Sequence, residues 1–311
     1  VSRFLLPQLT DGLFLSDGGL ETTLVFLDKI ELPHFAAFVL MDDEFGRERL
    51  ERYYVPFLDI CAESPGAGFV LETPTWRANP DWANLLGVGA ARLRDVNIAA
   101  AKMMRSLSKR WTTRISGPIV VSGIIGPRGD GDVATVPGSV EDAAAYHTPQ
   151  AEALATGGVD MLTAVTMTTS VEALGVALAA QRVGLPVAVS FTVETDGRLP
   201  SGEQLGEAIQ RVDESASPAY FAINCAHPIH FVHILETAGP WATRVRGIRA
   251  NASAKSHAEL DESSELDIGD PSDLAQRYCG LRSVLPNLNV LGGCCGTDWR
   301  HLRALRDAWI A

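Results

Sequence analysis

Three cysteines carry the chemistry this chain can do. Cys225 directly follows an apolar run, in Ala222-Ile223-Asn224-Cys225-Ala226-His227-Pro228. Cys294 and Cys295 stand together in Gly292-Gly293-Cys294-Cys295-Gly296-Thr297-Asp298. Thiolates that converge suit a soft or borderline metal, and zinc is the commonest. Three protein ligands leave a fourth position open, which is the arrangement of catalytic rather than structural sites. Glycines on both sides of the pair allow the backbone to bend so that neighbouring side chains face one ion. Adjacent cysteines also occur as small packing residues or as a strained vicinal disulfide, and spacing alone does not separate these readings. His227 is a rival ligand, although its place before Pro228 suits a helix cap. Cys61 and Cys279 lie in helical patterns and read as bystanders.

These residues need elements that bring them to one place. Eight short runs read as strands, most of them near-continuous apolar stretches as expected for parallel strands covered on both faces: Leu13–Asp17, Gly68–Glu72, Ile119–Ile124, Asp160–Val165, Val187–Thr192, Tyr220–Asn224, Val245–Ala250 and Leu288–Gly292. Helical patterns alternate with them over Arg47–Glu63, Pro80–Lys109, Val140–Thr156, Ser170–Val183, Glu203–Ser215, Pro228–Thr237, Pro271–Val284 and Asp298–Trp309. Ser201-Gly202-Glu203-Gln204 looks like a capping box opening one of these. The alternation predicts an α/β fold, a (β/α)8 TIM barrel. It forms a single domain over 1–311 with extended loops at the C-terminal face. In such a barrel all strand C-termini open on one side, so Cys225 can meet Cys294 and Cys295. A doubly wound open sheet is the alternative, but Asp17-Gly18-Gly19-Leu20 lacks the third glycine of a dinucleotide fingerprint. His257–Asp270, the most acidic stretch, reads as a solvated loop.

Composition narrows the partners. With 311 residues and a formal net charge of −12, the surface repels phosphate backbones and anionic lipid, which excludes nucleic acid and membrane as partners. The 46 % apolar and 21 % charged residues make an ordinary globular mix and argue against disorder. Five cysteines are too few and odd for a secreted disulfide framework. The start, Val1 to Ser16, lacks the apolar core and cleavage site of a signal peptide, and its first residue, Val, suggests trimming. A cytoplasmic location is expected. The oligomeric state is not legible.

At these residues the sequence resembles the homocysteine S-methyltransferases along nearly its whole length. The landmarks are Asp17-Gly18-Gly19, Glu72-Thr73, Asn224-Cys225 with His227-Pro228, and Gly292-Gly293-Cys294-Cys295-Gly296. The resemblance implies a Zn2+-dependent barrel that moves a methyl group onto a thiol, with Cys225, Cys294 and Cys295 as catalytic metal ligands. It implies homocysteine binding for Asp17, Gly18 and Gly19. Glu72, Thr73 and Asn224 are further substrate-binding candidates. The family carries a glutamate near the end of strand four that pairs with the homocysteine ammonium. Val165 stands there in this chain, and a valine can neither accept a hydrogen bond nor hold charge. Glu21, Glu72 and Glu194 are the carboxylates of the same rim that could replace it.

The chemistry follows from thiol acidity. A free thiol is only a few per cent ionised at neutral pH, and coordination to Zn2+ deprotonates it outright. A small onium donor such as S-methylmethionine or S-adenosylmethionine would be drawn to the resulting negative site and leave neutral. Beside a full barrel, 311 residues leave no room for a cobalamin or folate module. Trp76, Phe191 and Trp299 could face a cation, or serve as core. Two other readings are a zinc-assisted hydrolase or lyase and a non-catalytic zinc- or metabolite-binding barrel.

Overall fold

Apolar runs bounded by turn residues form the predicted strands. A computed structural model describes residues 6–134, 138–263 and 265–311. The strands are β1 (Phe14–Leu15), β2 (Gly68–Glu72), β3 (Ile119–Ile125), β4 (Met161–Met167), β5 (Val187–Thr192), β6 (Tyr220–Asn224), β7 (Val245–Ala250) and β8 (Val290–Gly293). Each pairs in parallel with its sequence neighbour, and β8 returns to β1, closing the barrel. Closure removes the open-sheet alternative. Residues 1–5, at the start of the stretch judged free of a leader, lie outside the described residues, as does Ser264 in the acidic loop.

The barrel buries two cores. Phe14, Val70, Val120, Met161, Ala188, Tyr220 and Val290, near the N-terminal ends of seven strands, fill the interior floor with Leu6. Gln8 and Thr10 accept from Asn289 Nδ2 through their carbonyls, which holds the preceding segment against that floor. The outer core lies between the sheet and a ring of helices. The helices are α1 (Leu20–Thr22), α2 (Glu44–Ala62), α3 (Pro80–Leu85), α4 (Ala90–Trp111), α5 (Val140–Gly157), α6 (Ser170–Arg182), α7 (Leu205–Ala216), α8 (Val232–Leu235), α9 (His257–Asp261), α10 (Pro271–Leu281) and α11 (Trp299–Ile310). No helix among the described residues is long and apolar enough to cross a membrane.

Three local expectations fail for identifiable reasons. The pattern over Pro80–Lys109 breaks into α3 and α4 because Gly87 takes φ +68°, a left-handed turn. Pro228–Thr237 yields only a 3-10 turn at Pro228–His230 and the single turn α8, since Phe231 at φ −130° interrupts it. The Ser201 signal opens no helix. Glu203 accepts instead from Ser170 N and Oγ, and α7 begins at Leu205 with Gln204 as its N-cap. True capping boxes occur at Ser256/Glu259 and Asp298/His301.

Candidate active site at the C-terminal rim

Strands β6 and β8 deliver the three thiols to one point. The sulfurs of Cys225, Cys294 and Cys295 all lie within 4.8 Å of one another, and Cys225 Sγ is 3.8 Å from Cys295 Sγ. A tetrahedral zinc with bonds of about 2.3 Å spaces its sulfurs by about 3.8 Å, so the donor set fits such an ion in chemistry and in spacing. The thiols share protons unevenly. S–H donation from Cys225 and Cys295 holds Cys294 well below the ordinary thiol range, and Arg249 assists. Cys225 is pushed up by its bonds to Cys294 and Cys295 and by burial.

Backbone strain sets the first of these ligands. Cys225 has φ +57°, uncommon for any residue with a side chain. Its carbonyl accepts from Asn251 Nδ2 at 3.0 Å and from His257 Nε2 at 2.5 Å. His257 Nδ1 in turn lies 3.1 Å from Glu194 Oε1. The acidic loop is therefore not simply solvated. It brings His257 onto the cysteine loop, and Leu260, Asp261, Ser263 and Leu266 line the cavity.

That cavity, about 520 Å³, lies over the strand ends and is also lined by the three cysteines. Its size is in the range of small-molecule sites. Arg249, from β7, organises its carboxylates. Nη1 donates to Glu72 Oε2 at 2.6 Å, and Nη2 lies 2.8 Å from Asp17 Oδ1. Burial pushes Glu72 up to about 7 against the pull of Arg249, and raises Asp17 likewise. Burial also raises Glu21, to about 7, with Cys294 and Asp17 adding to it.

The remaining sequence candidates divide by what holds them. Thr73 Oγ1 bonds Thr75 Oγ1 at 2.6 Å and accepts from Ile124 N, tying β2 to β3 at the cavity wall. Asn224 Oδ1 accepts from Thr166 N and Ser190 Oγ, so its amide oxygen joins three strands. Gly18 and Gly19 line the cavity and pack on the cysteine loop, and Gly19 N donates to Thr297 O. Val165 faces the cavity where β4 slips register, and the next residue, Thr166, has φ +53°. Trp76 lines the cavity and donates to Thr166 Oγ1 at 2.8 Å. Phe191 is buried core, stacked near Phe221, while Trp299 is exposed and away from the site. His227 Nδ1 accepts from Ile229 N, the capping role. Cys61 is buried in α2, and Cys279 lies in α10.

Sequence reasoning missed Arg249, Asn251 and His257. One signal was present for Arg249: Val245–Ala250 carries two arginines, Arg246 and Arg249, in a strand of a barrel whose other strands hold none. Nothing local marked the other two.

A parallel eight-stranded barrel with a three-thiol cluster on its C-terminal rim defines a class of metal-competent barrels. The family comparison narrows it: the homocysteine S-methyltransferase model matches residues 14–309, and the chain belongs to that family. The chain is 26 % identical over 317 residues to a methionine synthase of Mycobacterium tuberculosis. It is 26 % identical over 244 residues to a methionine synthase of Mycobacterium leprae. It spans 25 % and 19 % of those two proteins, so it corresponds to a minor part of each. Among solved structures, the homocysteine methyltransferase MmuM from Escherichia coli in its oxidized form has a TM-score of 0.73 at 20 % identity, covering 97 % of this chain and 98 % of that one. Its metallated form gives 0.73 at 18 % identity, with 96 % of each chain covered. These likenesses support the fold.

Proposed function

We propose that this protein is a zinc-dependent thiol S-methyltransferase. It moves a methyl group from a small onium donor, S-methylmethionine or S-adenosylmethionine, to homocysteine, giving methionine. The observation that carries this reading is the meeting of Cys225, Cys294 and Cys295 within 4.8 Å at the mouth of the barrel, in a chain of this family. The three thiols are the residues that would hold the metal. Zinc, when bound there, supplies an ionised acceptor thiol at neutral pH without a separate base.

The chain's own residues do the rest. Asp17, Glu21, Glu72, Asp130, Asp132, Asp261, Glu265 and Asp267 line the cavity against the guanidinium groups of Arg77 and Arg249. That excess of negative charge concentrates a cationic donor and disfavours an anionic one. Asn251 and His257 fix the Cys225 backbone, and the Arg249 pair fixes Asp17 and Glu72. Such rigidity holds acceptor and donor in line, the main demand of a methyl transfer.

The test pairs metal analysis with a product screen by mass. About one zinc per chain is expected, and both metal and methionine formation are lost in Cys225→Ser or Cys294→Ser. Full methyl transfer by metal-free protein would falsify the reading.

A further inference from the structure

The cavity holds three carboxylates close to the thiols, and they are not equivalent. Asp17 and Glu72 share the guanidinium of Arg249 at 2.8 and 2.6 Å. Glu21, at the start of α1, makes no ion pair or hydrogen bond with a described side chain; only a bond from its own backbone N–H and the field of Arg77 favour its charge. It lines the same cavity as Cys294 and Cys295. Glu194 pairs with His257 and is not a lining residue. On the opposite wall the end of β4 offers Val165, which holds no charge.

Arg77 is committed to Asp130, and a partly buried carboxylate without a direct partner is costly unless a ligand supplies one. We propose that Glu21 binds the ammonium group of an amino-acid thiol acceptor, a recognition role supplied from the loop after β1 rather than from β4. This assignment rests on the methyltransferase reading.

The alternative occupant is the onium centre of the donor, and the direction of charge flow argues against it. A thiolate and an onium donor react with loss of both charges. A carboxylate held on the onium would stabilise the ground state over the transition state and slow the reaction. The ammonium of the acceptor keeps its charge throughout, so pairing it with Glu21 stabilises both states equally. Such uniform binding lowers KM and leaves kcat alone.

The experiment compares homocysteine with γ-sulfanylbutanoate, which differs only in lacking the amino group, on zinc-loaded wild-type, Glu21→Gln and Glu21→Asp proteins. Calorimetry without donor gives Kd, and turnover with S-methylmethionine gives kcat and KM. In Glu21→Gln, Kd and KM for homocysteine rise about 10- to 100-fold, the worth of a hydrogen bond to a charged group. For that variant kcat, zinc content and the Kd of γ-sulfanylbutanoate stay within about twofold. Glu21→Asp keeps the charge and falls between.

Equal losses for both thiols would overturn the assignment, as would a rise confined to the KM of the donor. Homocysteine bound with the Glu21 dependence but never methylated retires the transferase reading and leaves this one standing. Wild-type protein that binds neither thiol retires both.

Discussion

Gly19 packs against the backbone of Cys294 so closely that a Cβ at position 19 would stand 2.5 Å from the Cys294 carbonyl oxygen. Gly18 meets the Thr297 carbonyl in the same way, at 2.6 Å. The first strand's loop therefore acts as a template for the cysteine loop, whatever else it touches. Gly19→Ala must displace Cys294, because backbone cannot yield as a flexible side chain does. We expect a loss of about 1–3 kcal/mol in stability and a drop of at least about tenfold in zinc affinity, measured by chelator competition. Gly12→Ala, where a Cβ meets nothing nearer than 4.0 Å, is the control and leaves zinc affinity unchanged.

Arg249 is the sole countercharge described for both Asp17 and Glu72. Removing one member of a buried ionic group leaves the other charges uncompensated. Arg249→Met is expected to cost about 3–5 kcal/mol in urea unfolding of the metal-free protein. Adding Asp17→Asn and Glu72→Gln should recover part of that loss, since the neutral groups need no partner. A cost for Arg249→Met below about 1 kcal/mol would show that the carboxylates simply take up protons.

Asp298 gives the protein an acid-sensitive contact of its own, outside the Arg249 cluster. It caps α11, and it lies 2.5 Å from Arg300 Nη2 and 3.2 Å from His301 Nδ1. Burial opposes its ionisation, but the bonds from His301 and Arg300 prevail and hold its carboxyl well below the usual range. A depressed carboxylate contributes stability above the unfolded value, about 4, and loses it as pH falls through the lower folded value. Asp298→Asn should be less stable than wild type at neutral pH. The gap should narrow only below about pH 4. Thermal unfolding of the metal-free proteins across that range checks it, and a gap independent of pH would refute the ionic origin.

Oxidation should disable the thiol cluster. Cys225 and Cys295 already lie with their sulfurs 3.8 Å apart, so a mild oxidant can join two of the three donors. Zinc release, followed with a chromogenic chelator, should accompany loss of activity. Reductant with zinc should restore both. Recovery by reductant in the presence of chelator would mean that no metal is needed.

The barrel was legible because β2, β5 and β6 are short, fully buried and largely apolar runs that alternate with helical patterns. The helices were less so where a local signal was diverted. Glu203, placed for a capping box, instead bonds Ser170 at the start of α6, a contact that only the pairing of β4 with β5 creates. The cysteines stood out because their type and position at strand ends carry meaning by themselves. Arg249, Asn251 and His257 did not, since their partners Glu72, Asp17, Cys225 and Glu194 lie far away in sequence. The acidic stretch misled for the same reason: its charges suggest solvent, while His257 at its head anchors it over the cavity.

One consequence of the strand order concerns biosynthesis. The sulfurs come from β6 and β8, and β8 is also the strand that seals the barrel against β1. A chain emerging from the ribosome has one sulfur in hand for a long interval and acquires the other two only when the last strand is made. The three can meet only once β8 has been made and has paired beside β7. Metal capture at this cluster would therefore act as a late checkpoint, marking finished barrels and passing over truncated ones.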